Sequence, residues 1–322
     1  MWRLLTRLAL LAALLIVGGS SYYTFAEEVI DRHIRLTATP LRAPDLTSSA
    51  RVKFVAGWEL KSDDLGFGGL SGLFVTASGL LAVSDKGALV ELHLSRGAPS
   101  GARIRPLPEK CGQGRIKLHR DTESLASDKD GNVWIGFEWR NALCRTGPGL
   151  RRATALAVPE QMRIWPYTGG PEAMTRLRDG RMIVIAERSR GDRAETPMLV
   201  FATDPALPGA RAQELSYRPP PGYRPTDIAE LPNGSLLVLH RRFRAPFSFS
   251  SILSVLPVEA LRQGASIRSR ALALFKAPGL HDNFEGVAVE ARGGRTFVWL
   301  VSDNNFAPVQ KTYLLKLELT GG

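Results

Sequence analysis

The sequence predicts an all-β fold, a β-propeller of about five four-stranded blades with six as the alternative, on three observations. A strand–turn–strand unit recurs five times, starting at residues 71, 123, 172, 226 and 285, a period of about fifty residues. Most of its turns are Asp-Gly or Asn-Gly, dipeptides suited to the positive φ angles of a two-residue type I′ hairpin. Helical periodicity is nearly absent, and Val258 to Gln263 reads as no more than a short helical turn.

The units align in order. The first runs Ser71 to Val75, Ser78-Gly79, then Leu80 to Asp85. The second runs Glu123 to Ala126, Asp130-Gly131, then Val133 to Glu138. Glu172 to Met174 leads through Asp179-Gly180 to Met182–Glu187, and Thr226 to Ala229 leads through Asn233-Gly234 to Leu236–Arg241. The fifth, Glu285 to Val289, turns at Gly293-Gly294 and ends in Ser302-Asp303-Asn304-Asn305. Each of the first four intervals has room for two more strands. The fifth has room for only one, Thr312 to Leu319, so Arg51 to Leu60 is expected to supply the missing outer strand and close the ring.

The remaining segments bound class and compartment. With 322 residues and 44% hydrophobic content the chain has ample core. Arg3 and Arg7 precede the apolar run Leu8 to Val17, and Thr24-Phe25-Ala26 offers a cleavage site, the layout of a secretory leader over residues 1–26. An uncleaved anchor is the rival. Either way export is expected, to the periplasm or the outer face of the inner membrane. Residues 27–50 read as a tether and residues 51–320 as the folded domain. In an oxidising compartment Cys111 and Cys144 are expected to pair, stabilising by about 3–4 kcal/mol in the chain-entropy view. The formal charge of +11 is scattered through turns and strand ends. That pattern, without a helix-turn-helix or aromatic RNA-binding signature, argues against nucleic acid. A monomer is expected, meeting a membrane only through the N-terminal segment if that is uncleaved.

Propeller geometry converts the repeat into a site. Starts of inner strands and ends of second strands should meet at one mouth of the central channel. The first set is Ser71, Glu123, Glu172, Thr226 and Glu285; the second is Asp85, Glu138, Glu187, Arg241 and Asp303. Seven of these ten are carboxylates in a basic protein, and crowded carboxylates need a neutraliser. A divalent cation such as Ca²⁺ would suit Asp85, Glu123, Glu187, Glu285, Asp303 and Asn304 as oxygen ligands. Arginine pairing or protonation are the other neutralisers, and the bland reading is a solvated rim that merely ends strands. Glu285, Asp303 and Glu172 are the candidates for acid/base work or water activation. Arg188, Arg241, Arg242 and His240 are the candidates for holding a small anionic or ester substrate. Nucleophile-elbow, zinc-protease and phosphate-loop motifs are missing.

Several of these segments together resemble a known family. They are Gly69-Leu70-Ser71-Gly72-Leu73, Ser84-Asp85-Lys86-Gly87, Asp121-Thr122-Glu123-Ser124-Leu125, Gly170-Pro171-Glu172-Ala173-Met174, Pro225-Thr226-Asp227-Ile228-Ala229 and Asn283-Phe284-Glu285-Gly286 with Ser302-Asp303-Asn304-Asn305. As an ordered set over roughly residues 50–320 they resemble the exported phytase-like, "esterase-like activity of phytase" propellers. The resemblance implies an exported bacterial β-propeller with hydrolytic activity. Ser124 departs from the glycine expected after the glutamate. Two functions follow: a metal-assisted hydrolase of phosphate or carboxylic esters, or a non-catalytic propeller that binds a ligand or envelope partner at the same mouth.

Overall fold

The structure is a computed structural model describing residues 28–42, 51–112, 116–191, 194–245 and 248–320, with Lys117 described by its backbone. The expected leader and residues 43–50 of the expected tether lie outside the described residues. Five antiparallel sheets form the five blades of a propeller.

From the axis outward, blade 1 is Leu70–Val75, Gly79–Ser84, Ala88–Ser95 and Ala98–Pro106. Blade 2 is Thr122–Ser127, Val133–Phe137, Ala142–Thr146 and Ala153–Ala157. Blade 3 is Pro171–Arg176, Met182–Ala186, Thr196–Phe201 and Ala212–Arg218. Blade 4 is Arg224–Glu230, Leu236–Arg244, Ser248–Leu256 and Arg270–Phe275. Blade 5 is Phe284–Arg292, Arg295–Ser302, Thr312–Leu319 and, closing the ring, Val52–Lys61. The closing strand pairs antiparallel with Thr312–Leu319, from Val52 opposite Leu319 to Leu60 opposite Thr312.

The inner and second strands read as apolar runs because both faces of each blade are covered. Five buried clusters fill the gaps between neighbouring blades. Trp58 and Trp299 sit in the cluster between blades 5 and 1, and Trp134 and Met174 in that between blades 2 and 3. Each such side chain stabilises by roughly 1.5–3 kcal/mol on full burial. Cys111 and Cys144 are disulfide-bonded within the cluster between blades 1 and 2.

Three expectations change. The segment read as a tether contributes two edge strands, Arg32–Ile34 on blade 1 and Thr37–Pro40 on blade 5. A further strand, Ser266–Arg268, adds parallel to the outer strand of blade 3. The Asp-Gly and Asn-Gly turns are not type I′ pairs, unlike Gly293-Gly294, which joins the paired Arg292 and Arg295 with φ of 60° and 72°. The amides of Gly131, Gly180 and Gly234 donate to the carbonyls of Asp128, Leu177 and Leu231, 2.9–3.2 Å away, so each glycine closes a four-residue turn. Only the glycine takes positive φ there (80°, 93° and 87°), as the last position of a type I turn allows.

Candidate functional site

Every inner strand carries the same defect near its start. Pairing with the second strand skips one residue in each blade: Gly72, Glu123, Glu172, Thr226 and Glu285. A β-bulge of this kind leaves one residue unpaired and re-aims its side chain. Three of the five bulged residues are glutamates, which explains why the acidic repeat is tied to strand starts. In blade 1 the bulge falls at Gly72, one residue beyond Ser71, the position expected from sequence. Asp85, Glu138, Glu187 and Asp303 each follow the last second-strand partner before the mouth, in the phase the sequence indicated, whereas Arg241 is itself paired, opposite Arg224.

Hydroxyls stitch this ring between blades. Thr122 Oγ1 donates to the Ser84 carbonyl at 2.8 Å, Thr226 Oγ1 to the Phe284 carbonyl at 3.3 Å, and Ser71 Oγ to Glu285 Oε2 at 3.2 Å. Ser124, the departure from the expected glycine, uses its hydroxyl to bond the Pro171 carbonyl of the next blade. Beneath the ring, buried Asp227 accepts the Val287 amide (2.7 Å), the Ile228 amide (2.8 Å) and the Leu73 amide (3.3 Å). It joins blades 4, 5 and 1 across the axis. Burial pushes its pKa well up despite those three bonds, and its partners make it a structural floor to the mouth.

The mouth has two halves of opposite character. On the blade 2 side Asp121, Glu123 and Glu138 each offer a carboxylate oxygen, all within 4.8 Å of one another. This cluster could hold a metal ion. Asp121 also accepts Trp139 Nε1 at 2.9 Å, and Glu138 accepts the Gly169 amide. Glu123 and the neighbouring Glu172 accept no hydrogen bond from a described residue. Burial, then Glu172, Asp121 and Glu138, drive the pKa of Glu123 well up. Burial and Glu187 do the same to Glu172. Burial and Asp121 raise Glu138 to about 8. Repulsion of this kind is relieved by protons or by a cation.

On the blade 3–4 side arginines neutralise the acids. Buried Glu187 is met by Arg241 Nη2 at 2.8 Å, Arg224 Nη1 at 3.3 Å and Arg188 Nε at 3.4 Å. Arg241 also reaches Glu285 Oε1 at 3.0 Å. Burial disfavours the Arg241 cation, but Glu285, Glu187, Glu172 and Asp303 outweigh it and its pKa is raised. Glu285 is raised by burial, with Arg241 and the Ser71 hydroxyl opposing. Asp303 accepts Asn283 Nδ2 at 3.3 Å, and burial, then Glu285 and Asp85, push its pKa well up.

The structure therefore sorts the residues singled out by sequence. Glu123 is the one of the six expected metal ligands that falls in the carboxylate trio. Glu187 is committed to three guanidinium groups. Asn304 is not a ligand in this arrangement, because its Oδ1 accepts the amides of Gly69 (3.0 Å) and Phe306 (3.2 Å). Asp85, Glu285 and Asp303 fall outside the trio, Asp85 on the neighbouring blade 1 and Glu285 and Asp303 on blade 5. Glu172, Glu285 and Asp303, expected to work in acid/base chemistry, are all buried in the mouth with raised pKa values.

Arg188 and Arg241 are at the mouth, whereas Arg242 points the other way and stacks on Tyr223, 4.4 Å from its ring centre. His240 is fully buried in the wall, with Nε2 2.6 Å from the Tyr217 hydroxyl and Nδ1 3.1 Å from the Ile252 carbonyl. Alternation along the strand turns it away from the face that Arg241 takes. Sequence reasoning missed Asp121, Arg224 and Asp227. Asp121 and Asp227 stood beside the aligned positions, but Arg224 precedes its repeat and left no signal.

Solved structures with similar folds are diverse. The PQQ-bound aldose sugar dehydrogenase of Streptomyces coelicolor matches with TM-score 0.47 and 14% identity, over 89% of this chain and 99% of that one. Glutaminyl cyclase of Myxococcus xanthus matches with TM-score 0.44 and 14% identity, over 84% and 97%. The Malassezia sympodialis allergen Mala s 1 matches with TM-score 0.45 and 16% identity, over 87% and 95%. No curated protein sequence matches the chain. Residues 65–306 match the family described as "Phytase-like: Esterase-like activity of phytase", a span that holds all five bulges and both halves of the mouth, and the chain belongs to that family.

Proposed function

We propose that this protein is an exported, monomeric hydrolase of phosphate or carboxylic esters that works at the acidic mouth with a divalent cation, Ca²⁺ by the hardness of the donors. The observation that carries the reading is the juxtaposition of an underneutralised carboxylate trio with a surplus of arginines in one mouth. The trio fits a hard cation: all its donors are oxygens, and Glu123 has no competing hydrogen bond from a described residue. Asp121, Glu123 and Glu138 would hold the ion, which when bound supplies Lewis acidity and a water of lowered pKa.

The chain's own groups do the rest. Arg188 and Arg224 stay 40% and 48% exposed while their charge rests on Glu187, so they bind and orient the anionic part of an ester. Glu172, Glu285 and Asp303 have pKa values raised above the ordinary carboxylate range. Each holds a proton at higher pH than usual and can return it to a leaving alkoxide. Asp227 and the stitched inner strands fix these groups in place, because the bulges hang from a ring of paired backbone. Expected export, together with the disulfide, is consistent with a periplasmic or membrane-anchored location.

A panel of aryl and alkyl phosphates and carboxylates, assayed with Ca²⁺ and with chelator, tests the reading. Metal-dependent turnover that Glu123→Gln abolishes is expected. Metal binding without turnover of any ester would favour a ligand-binding propeller instead.

A further inference from the structure

The exposed apolar side chains are not scattered evenly over the propeller. Leu65 (81% exposed), Tyr167 (66%) and Val309 (66%) lie on loops around the acidic mouth, and Phe243 (49%) at the mouth-side end of the strand Leu236–Arg244. Leu65 precedes the inner strand of blade 1, and its carbonyl accepts Lys86 Nζ at 2.7 Å. Tyr167 lies between Pro166 and Gly169, both bonded to the mouth-side turn of blade 2. Phe243 stands on the extended hairpin of blade 4 with Phe249 at 5.0 Å, and Val309 on the mouth-side loop of blade 5. They therefore stand around the opening rather than in one patch. Among the described residues, Leu207 is the large apolar side chain so exposed on the loops of the opposite face.

Charge on this rim has one prevailing sign. Arg140, Arg188, Arg190, Arg224, Arg242 and Arg244 are exposed or half-exposed there. The acids of the same face are mostly sunk in the mouth or paired, as Asp64 is with Arg32 at 2.6 Å. The N-terminal end of the described chain leaves from this side as well. Arg32 is bound to Asp64 on the loop before blade 1, and the Glu28 carboxylate acts on Arg120 at the neighbouring rim. The apolar run Leu8 to Val17 is thus connected to the mouth face.

From apolar side chains at the tips of loops, cations between them and the attachment of an apolar N-terminal segment on the same side, we propose that the mouth face docks on a lipid bilayer bearing anionic headgroups. The apolar tips enter the headgroup boundary, and the arginines meet phosphate oxygens. The mouth then opens at headgroup level, where an amphiphilic molecule reaches it without crossing bulk water. A propeller tethered by the N-terminal segment alone would tumble freely above the surface; one docked by its rim would not.

The full chain is used, so the N-terminal segment is present in every sample and the readout must report orientation rather than attachment. Phe243→Cys, Val309→Cys and, on the opposite face, Leu207→Cys are each labelled with bimane in protein whose native disulfide is intact. They are bound to phosphatidylglycerol-containing vesicles with brominated acyl chains. Docking predicts quenching at positions 243 and 309 at least about twofold stronger than at 207. It also predicts that Arg242→Glu combined with Arg244→Glu, or pure phosphatidylcholine vesicles, removes most of the difference. Equal quenching at the three positions overturns the proposal. So does a difference that ignores headgroup charge, or burial of the rim labels by self-association without lipid.

Discussion

The two mouths of the channel are made by the same five inner strands, yet only one of them gathers buried acids. At the far end the pairing stays regular, and Leu73, Leu125, Met174 and Ile228 line a funnel of about 310 Å³ together with Ser127, Thr175, Arg176, Arg178 and Glu230. At the near end each strand has slipped by one residue, and glutamates occupy three of the five bulges. One extra residue per blade thus accompanies the change from a mixed lining to a ring rich in buried acids. Asp227 stands between the two ends and belongs to neither, since its oxygens are spent on backbone amides of three blades.

The largest effect is expected where the two ends are separated. Asp227→Ala strands three buried amides and should cost about 4 kcal/mol, read as the shift in a urea unfolding curve. A near-neutral result would mean that the floor between the mouths is held by the stitching hydroxyls instead. A somewhat smaller effect separates wall from mouth. Burial lowers His240 to about 4 from 6.5, so the unfolded chain binds the proton first as pH falls. Its contribution to stability is full above pH 6.5, declines through the window and is gone below pH 4, a change of about 3 kcal/mol.

The raised carboxylates of the mouth act in the opposite sense: their contribution is present at low pH and is lost as pH rises, through about 8 for Glu138. The His240 part is therefore read as wild type minus His240→Gln across that window. If the difference is flat, the imidazole is not the buried neutral group described above.

Cation binding sharpens the comparison further. Ca²⁺ at a hundred times its dissociation constant should stabilise by about 2.7 kcal/mol. Glu123→Gln should remove that gain, while Ser127→Ala, at the far end of the same strand, should retain it. A Ca²⁺ response that survives Glu123→Gln moves the ion away from the trio. The smallest effect concerns the arginine half. Arg224→Gln should change stability by less than about 1 kcal/mol because its guanidinium is half-exposed. It should raise KM for an anionic ester about tenfold while leaving KM for a neutral one unchanged.

The blades were legible in the sequence because each inner hairpin repeats both its turn glycine and its apolar runs. Ring closure by Arg51 to Leu60 was legible from the shortage of strands after Thr312. The acidic mouth was legible too, since Glu138 and Glu187 stand at the same spacing from the Asp-Gly turns of their hairpins. Which acids meet was not. Pairing Asp121 with Glu123 depends on the bulge that turns Glu123 out of line, and a bulge has no fixed residue signature. Arg224 reaches Glu187 from the preceding loop, so no repeat position marked it. His240 failed for the converse reason: its place at a strand end suggested the mouth, but side-chain alternation decided its direction.

The closing strand has a consequence for the order in which the molecule can be assembled. Val52–Lys61 waits for a partner, Thr312–Leu319, that comes four blades later in the sequence. Whenever the polypeptide emerges N-terminus first, from a ribosome or through a membrane pore, blade 5 stays open until Thr312–Leu319 has appeared. The ring of bulged acids is circular only after that point, so the site matures all at once, outside whatever passage those residues have come through.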